Sequence, residues 1–159
     1  SRGRSRMPGP AGRPGPEERN MFRKILIAVD GSHHADAAVR AGVELAKAGG
    51  GELVLCHVSS IPEQYRAGLA DQLEEAILED GRKILDHAAR VAKDAGAEAE
   101  TRLIEREHPA EGIVGLAAEI GADLIVAGVR GRTGDELRSM GSVSQAIAQM
   151  AGSSVLLVR

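Results

Sequence analysis

Aromatic residues are almost absent from this chain, which has no tryptophan and whose single phenylalanine and tyrosine are Phe22 and Tyr65. The 159 residues suit one domain of ordinary size, long enough to bury a substantial core. Because so few aromatic residues are available, that core must consist of aliphatic side chains.

Cysteine is also scarce, since Cys56 is the only one and an internal disulfide is therefore excluded. It lies within the apolar stretch 53–58, which favours a small buried hydrophobic residue over a reactive thiol. A chain without disulfides fits a reducing compartment, and we expect a cytoplasmic protein.

Long apolar runs are missing as well. No segment approaches the ~20 apolar residues that a membrane-spanning helix needs, and the N-terminus lacks the apolar core of a signal peptide. We therefore expect no membrane partner and no secretion.

Positive charge is concentrated in residues 1–20, where five arginines and two glutamates give +3, while the other 139 residues carry −6. An acidic body argues against general nucleic-acid binding, so we expect no nucleic-acid partner. Residues 1–20 also hold four of the six prolines and four glycines without an apolar period. This composition predicts a disordered, solvated tail rather than a contact for nucleic acid or lipid, followed by one folded domain over 21–159.

Apolar runs typical of strands alternate with helical patterns along that domain. The strands are predicted at 24–30, 52–58, 98–104, 124–127 and 154–158, and the helices at 33–48, 69–95, 109–120 and 141–150. The third strand alternates in polarity, which suggests a sheet edge. Five alternations predict an α/β fold with a parallel sheet.

Two of these helices carry patterns from which further predictions follow. Helix 69–95 has an apolar stripe from Leu69 to Val91, but it would span roughly 40 Å, so its first turns are expected to be frayed or separate. Its acidic residues at 74–80 favour a solvated face over a metal site. In the last helix, Val143, Ile147 and Met150 are predicted to share one face.

The most informative stretch is a strand, a glycine-rich loop and a helix start. Gly128 follows the fourth strand, Gly131 comes after two more residues, and Gly141-Ser142 after a further nine. Glycine adopts backbone angles that a Cβ forbids and lets an anion approach the main chain. The first N–H groups of the next helix lack intrahelical partners and attract a phosphate. Glycines near a strand end also occur in ordinary surface loops, so the spacing rather than any one glycine carries the prediction.

Two polar residues at the ends of the first strands have alternative roles. Asp30 either caps the turn in Asp30-Gly31-Ser32 or lies at the ligand-binding end of a parallel strand. His57 is a candidate catalytic base by residue type, but no nucleophile or partner is identifiable, which favours a structural role.

The spacing G-x2-G-x9-G-[ST], together with KILIAVDGS, GVRGRTG and GSVSQAI, resembles the ATP-binding subgroup of the universal stress protein family over residues 21–159. The resemblance implies a five-stranded parallel sheet of order 3-2-1-4-5 in an α/β/α sandwich, similar to the adenine nucleotide α-hydrolases. It also implies a homodimer that pairs the strands at 154–158.

The same resemblance implies which residues bind the nucleotide. Those on the adenosine side are Ala28, Val29, Asp30 and Val58, and those around the phosphates are Gly128, Gly131, Arg132, Gly141, Ser142, Val143 and Ser144. Arg132 either screens phosphate charge or is solvated. Mg²⁺ would be held mainly by phosphates and water, since no dedicated carboxylate cage is evident.

The implied function is that of an ATP-dependent regulator in the stress response rather than a dedicated enzyme. An ATP-cleaving enzyme of the α-hydrolase type is the alternative, and slow hydrolysis by bound water is compatible with either. The third alternative is an interaction module without nucleotide, against which the intact glycine spacing argues.

Overall fold

The computed structural model describes residues 22–68, 70–130 and 140–159. The predicted tail, Gly131 and Arg132 lie outside these ranges. The elements in chain order are β1 Lys24–Ala28, α1 His33–Gly49, β2 Glu52–Ser59, α2 Glu63–Arg66, α3 Asp71–Asp94, β3 Glu100–Glu105, α4 Pro109–Ile120, β4 Leu124–Gly128, α5 Ser142–Met150 and β5 Ser154–Val158.

The described strands form one parallel sheet in the order β3-β2-β1-β4-β5. In the centre, Ile27 of β1 pairs with Leu55 of β2 and Val126 of β4. The predicted fold class and strand order are confirmed, and the third predicted strand does lie at an edge.

Alternating side chains of the central strands supply two separate cores. Ile25 and Ile27 face the side covered by α1 and α3, whereas Leu26 faces the side covered by α4 and α5. All three side chains are fully buried. A strand that is apolar on both faces suits a sheet covered on both sides, and this explains the continuous apolar run of β1.

The helix predicted over 69–95 is α3, which is continuous from Asp71 to Asp94, so its first turns are neither frayed nor separate; the short α2 lies before the predicted range, and Leu69 lies outside the described residues. The 24 residues of α3 span roughly 36 Å at ~1.5 Å per residue, whereas the eight residues of β2 span about 26 Å. The first turns of α3 therefore have no sheet to cover. Leu73 is accordingly 53% exposed, while Ile84 and Ala88 are buried.

The face predicted for α5 is only partly right. Ile147 is buried, but Val143 and Met150 are 38% and 44% exposed. The helix is rotated so that Ser144, rather than Val143, faces the interior beside Ile147. In this orientation the buried Ser144 hydroxyl donates a hydrogen bond of 2.6 Å to the carbonyl oxygen of Gly128, and a buried hydroxyl needs such a partner.

No helix in the described ranges combines the length and apolar character needed to cross a membrane.

Candidate functional site

A cleft of about 880 Å³ opens at the carboxyl ends of β1, β2 and β4. At this point the strand order changes direction, because β1 leads through α1 towards β2, whereas β4 leads through α5 towards β5 on the other side. Open α/β sheets bind their ligands at such a crevice. The fold alone therefore indicates where a ligand would lie.

Nine of the predicted site residues line this cleft. They are Ala28, Val29, Asp30, Val58, Gly128, Gly141, Ser142, Val143 and Ser144. The other two, Gly131 and Arg132, belong to the segment 131–139 outside the described residues. The tertiary structure thus brings together residues from three distant parts of the chain.

The end of β1 is held by β2 through two hydrogen bonds. The N–H of Val29 donates to the carbonyl oxygen of Cys56 at 2.9 Å, and the carbonyl oxygen of Val29 lies 2.7 Å from Nδ1 of His57. Because Val29 is buried, both of its backbone groups need such partners. His57 therefore has a structural contact, as predicted.

The next three residues form a turn that leads directly into α1. Asp30 accepts a hydrogen bond from the N–H of Ser32 at 2.9 Å, and Gly31 has a φ of +85°, which favours glycine. Ser32 is the N-cap of α1 and accepts from the N–H of Ala35 at 3.1 Å. Asp30 caps the turn through Oδ1 and also lines the cleft, so its two proposed positions are compatible.

The end of β4 is connected to α5 through backbone and hydroxyl groups. The N–H of Val129 donates to Val158, and the carbonyl oxygen of Val129 accepts from the N–H of Gly141, both at 2.8 Å. The N–H of Gly141 is therefore engaged within the protein, contrary to the expectation that it faces an anion. The Ser144 hydroxyl hydrogen is likewise engaged by Gly128.

The N–H groups of Ser142 and Val143 remain at the start of α5. Gln145 is the first residue whose N–H reaches a helix carbonyl, that of Gly141 at 3.0 Å, so the preceding N–H groups have no intrahelical acceptor. Ser142 and Val143 are exposed and line the cleft. Together with the helix dipole, they make this wall of the cleft attractive to an anion.

The two described glycines of the motif differ in whether the structure requires a glycine at that position. Gly141 has a φ of −61°, which any residue adopts, so it needs no special conformation. Gly128 also lacks a left-handed φ, but a Cβ there would lie 2.7 Å from Cβ of His34 and 3.0 Å from its carbonyl carbon. Close packing of β4 on α1 therefore requires glycine at 128.

Several residues of the cleft were missed by the sequence analysis. Those with polar side chains are Ser32, Ser60, Asp80 and Arg130, and the apolar ones include Met140, Pro109 and Ile113. Arg130 lies between Gly128 and Gly131 in the motif, and a cation at that position was a usable signal. Asp80 and Ile113 come from α3 and α4, and no local pattern links them to the motif.

Cys56 lies at the floor of the cleft and is fully buried. Burial raises the pKa of its thiol from the ordinary 9.0 to about 12, because the thiolate would lose its hydration. The thiol therefore stays protonated and unreactive at neutral pH, as a small buried hydrophobic residue would.

No cluster of three or more potential metal ligands occurs in the part of the chain that the structure describes. The described cleft lining does contain the carboxylates of Asp30 and Asp80. Mg²⁺ commonly binds one or two carboxylates together with water and substrate phosphates, so this lining fits a magnesium ion that arrives with a phosphate ligand.

Comparisons with known proteins agree on one family. The sequence model of the Universal stress protein family matches residues 21–159. Universal stress protein YxiE of Bacillus subtilis is 35% identical over 87% of this chain and 100% of its own length.

Solved structures give the same result. The universal stress protein of Archaeoglobus fulgidus in complex with dAMP is 26% identical, with a TM-score of 0.68 over 87% of this chain and 98% of its own. A universal stress protein in complex with cAMP is 27% identical, with a TM-score of 0.65 over 87% of this chain and 97% of its own. From its sequence motifs, its strand order and these similarities, the chain belongs to the universal stress protein family.

Proposed function

We propose that this protein binds ATP together with Mg²⁺ in the cleft and acts in the cytoplasm as a nucleotide-dependent regulator of the stress response. The observation that carries the proposal is the convergence of the nine predicted residues on one cleft beside the start of α5. Two similar proteins have structures with the adenine nucleotides dAMP and cAMP, which supports an adenine nucleotide here.

The proposed binding mode follows from the chemistry of the walls. The phosphates lie at the N–H groups of Ser142 and Val143, where the helix dipole favours negative charge. Arg130 lines the same cleft and adds a positive charge for the phosphates. The adenosine lies at the ends of β1 and β2, beside Asp30 and Val58.

The N–H of Ser142 offers a sharp test of phosphate binding. Ser142 is the first residue of α5, and the preceding Gly141 has φ −61° and ψ 151°, a conformation that is compatible with a following proline. Ser142→Pro therefore removes one N–H donor without disrupting the helix. Because a hydrogen bond to a charged group contributes ~1.5–3 kcal/mol, we expect ATP affinity to fall by about one order of magnitude or more.

Ser142→Ala is the matched control, because it removes the hydroxyl and keeps the N–H. Titration calorimetry of the two variants with Mg-ATP separates the two groups, and circular dichroism checks the fold. Equal affinities of Ser142→Pro and the unmodified protein would contradict phosphate binding at α5.

Base selectivity is tested separately. Backbone N–H groups at the phosphates do not distinguish bases, so a preference for ATP must come from the backbone at Val58. We expect tighter binding of Mg-ATP than of Mg-GTP in calorimetry. Equal affinities would overturn the adenine part of the proposal and leave the phosphate part intact.

We also propose a homodimer through β5. Residues 155–158 are all apolar and only half-buried, and they form an edge strand whose outer backbone groups are a template for another strand. The carbonyl oxygen of Val158 points to β4, where it accepts from Val129. With the two-residue period of a strand, Val155 and Leu157 direct their backbone groups to the open edge.

Leu157→Pro removes one of these outward donors and should weaken the dimer, with the proline at a tolerated edge position. Light scattering measures the molecular mass of the variant and of the unmodified chain at micromolar concentration. A monomeric mass of the unmodified chain would refute the dimer.

A further inference from the structure

The imidazole of His57 makes a contact whose chemistry determines the position of one proton. Its Nδ1 lies 2.7 Å from the carbonyl oxygen of Val29. A carbonyl oxygen only accepts hydrogen bonds, so Nδ1 must carry the hydrogen. In the neutral ring, Nε2 is then an acceptor without a hydrogen.

The other side of the ring faces α3 at Gly81. A Cβ on Gly81 would lie 3.1 Å from Cδ2 of His57 and 2.7 Å from Cδ1 of Leu103. Glycine therefore lets the helix backbone approach the imidazole closely. The ring is confined between the end of β1 and α3, and it also lines the cleft.

The hydrogen bond between His57 and Val29 lies just beyond the end of the regular pairing of β1 and β2. The last paired residues are Ala28 and Cys56, and the N–H of Val29 still bonds to Cys56. The carbonyl oxygen of Val29 is satisfied by the His57 side chain instead. Since Asp30 directly follows Val29, this contact lies immediately before the Asp30 turn.

We propose that His57 is a positioning residue of the ligand site, and that its Nδ1–H holds the Val29 carbonyl so that Asp30 and the adjoining Val58 backbone are placed for the nucleoside. The role towards nucleotide rests on the proposed function. The hydrogen bond itself is a property of the protein without ligand.

Two substitutions separate the hydrogen bond from the volume of the ring. His57→Asn places an amide N–H close to the position of Nδ1, whereas His57→Leu fills a similar space without a donor. In calorimetry with Mg-ATP, we expect the leucine variant to lose affinity by about tenfold, equivalent to ~1.4 kcal/mol. We expect the asparagine variant to stay within about threefold of the unmodified protein, equivalent to ~0.65 kcal/mol. A leucine variant with unchanged affinity, or an asparagine variant as weak as the leucine variant, would overturn the proposal.

Imidazole ¹⁵N NMR on the full chain without nucleotide provides an independent measurement, with His57→Asn identifying the signal. We expect the proton of the neutral ring on Nδ1, and a proton on Nε2 alone overturns the proposal. If His57→Leu does not fold, the asparagine variant and the NMR measurement decide.

If the unmodified protein binds no ATP, the proposed function fails and so does the role of His57 towards nucleotide. The NMR result still decides the hydrogen bond to Val29. The two failures are therefore distinguishable.

Discussion

Two strand-to-helix connections meet at the cleft, and they use their polar groups differently. The connection from β1 to α1 has four residues, 29–32, and the hydrogen bonds of Val29, Asp30 and Ser32 go to β2, to one another and to α1. The connection from β4 to α5 is longer, 129–141, and its described ends leave N–H groups of α5 in the cleft. The first forms a fixed wall, whereas the second leaves backbone N–H donors facing the cleft.

The difference follows from the residue at each N-cap. The Asp30 carboxylate accepts from the N–H of Ser32, and the hydroxyl of Ser32, the N-cap of α1, accepts from the N–H of Ala35. At α5 the N-cap is Gly141, which has no side chain, and among the described residues no side chain makes a cap hydrogen bond there. An uncapped helix start is a site at which a ligand can replace the missing cap.

The largest effect is expected where the two connections touch, at Gly128. In Gly128→Ala, the new Cβ would lie 2.7 Å from Cβ of His34 and 3.1 Å from its carbonyl oxygen, so α1 must move away from β4. Overpacking of this kind costs ~1–3 kcal/mol, and contact with backbone puts the loss near the upper value. Denaturant unfolding measures it.

Gly115→Ala is the matched control, because a Cβ there meets nothing within 4 Å and the residue lies inside α4. It should stabilise the protein by ~0.5–1 kcal/mol, since alanine favours helix over glycine. Equal stability changes for the two variants would show that α1 and β4 are not closely packed at Gly128.

The second effect concerns the fixed part of the β4–α5 connection. Ser144→Ala removes the buried hydroxyl that donates to Gly128, and we expect a loss of ~1–3 kcal/mol because the carbonyl loses its partner. The exposed Ser142→Ala should change stability by less than ~0.5 kcal/mol. Thermal or denaturant unfolding of both variants checks this, and a neutral Ser144→Ala would mean that the bond does not stabilise the β4–α5 connection.

The third effect tests the turn of the β1–α1 connection. Gly31→Ala forces a residue with a Cβ to keep φ +85°, which costs ~1–2 kcal/mol. Gly152→Ala is the control, since its Cβ meets nothing within 4 Å and its φ is not left-handed. If the two variants are equally stable in denaturant unfolding, the Asp30 turn is less rigid than its hydrogen bonds indicate.

The smallest effect on stability at neutral pH is expected from the ionisation of Cys56, whose neighbour across the sheet is the β1–α1 connection. Burial raises the pKa of its thiol from 9.0 to about 12 in the folded state, so the unfolded state loses its proton first as the pH rises. The contribution of Cys56 is present below pH 9 and is lost between pH 9 and about 12. We expect Cys56→Ala to show a shallower loss of stability over that range than the unmodified protein.

A thiol-specific reagent gives a direct check of the same burial. At pH 8 the folded protein should react far more slowly than the protein in denaturant. Rapid modification of the folded protein would contradict a closed floor beneath the cleft.

Local patterns predicted much of this molecule, and the reason is physical. The apolar runs of β1 and β4 identify buried strands because a strand covered on both faces has no polar position. Asp30-Gly31-Ser32 identifies a turn and a helix start because the hydrogen bonds involved join residues two or three positions apart. The glycine spacing, through the family resemblance, also indicated the strand order, which is confirmed.

Contacts between distant residues were decided only by the tertiary structure. The N–H of Gly141 bonds to Val129, twelve positions earlier, and the Ser144 hydroxyl bonds to Gly128, sixteen positions earlier. These two bonds engage donors within the protein, and Val143 is turned out of the core, which no helical period predicts. His57 meets Val29 across 28 positions. The sequence by itself determined where strands, turns and the anion-attracting helix start lie, because those depend on near neighbours. Which donors remain free for a ligand depended on the packing of the whole sheet.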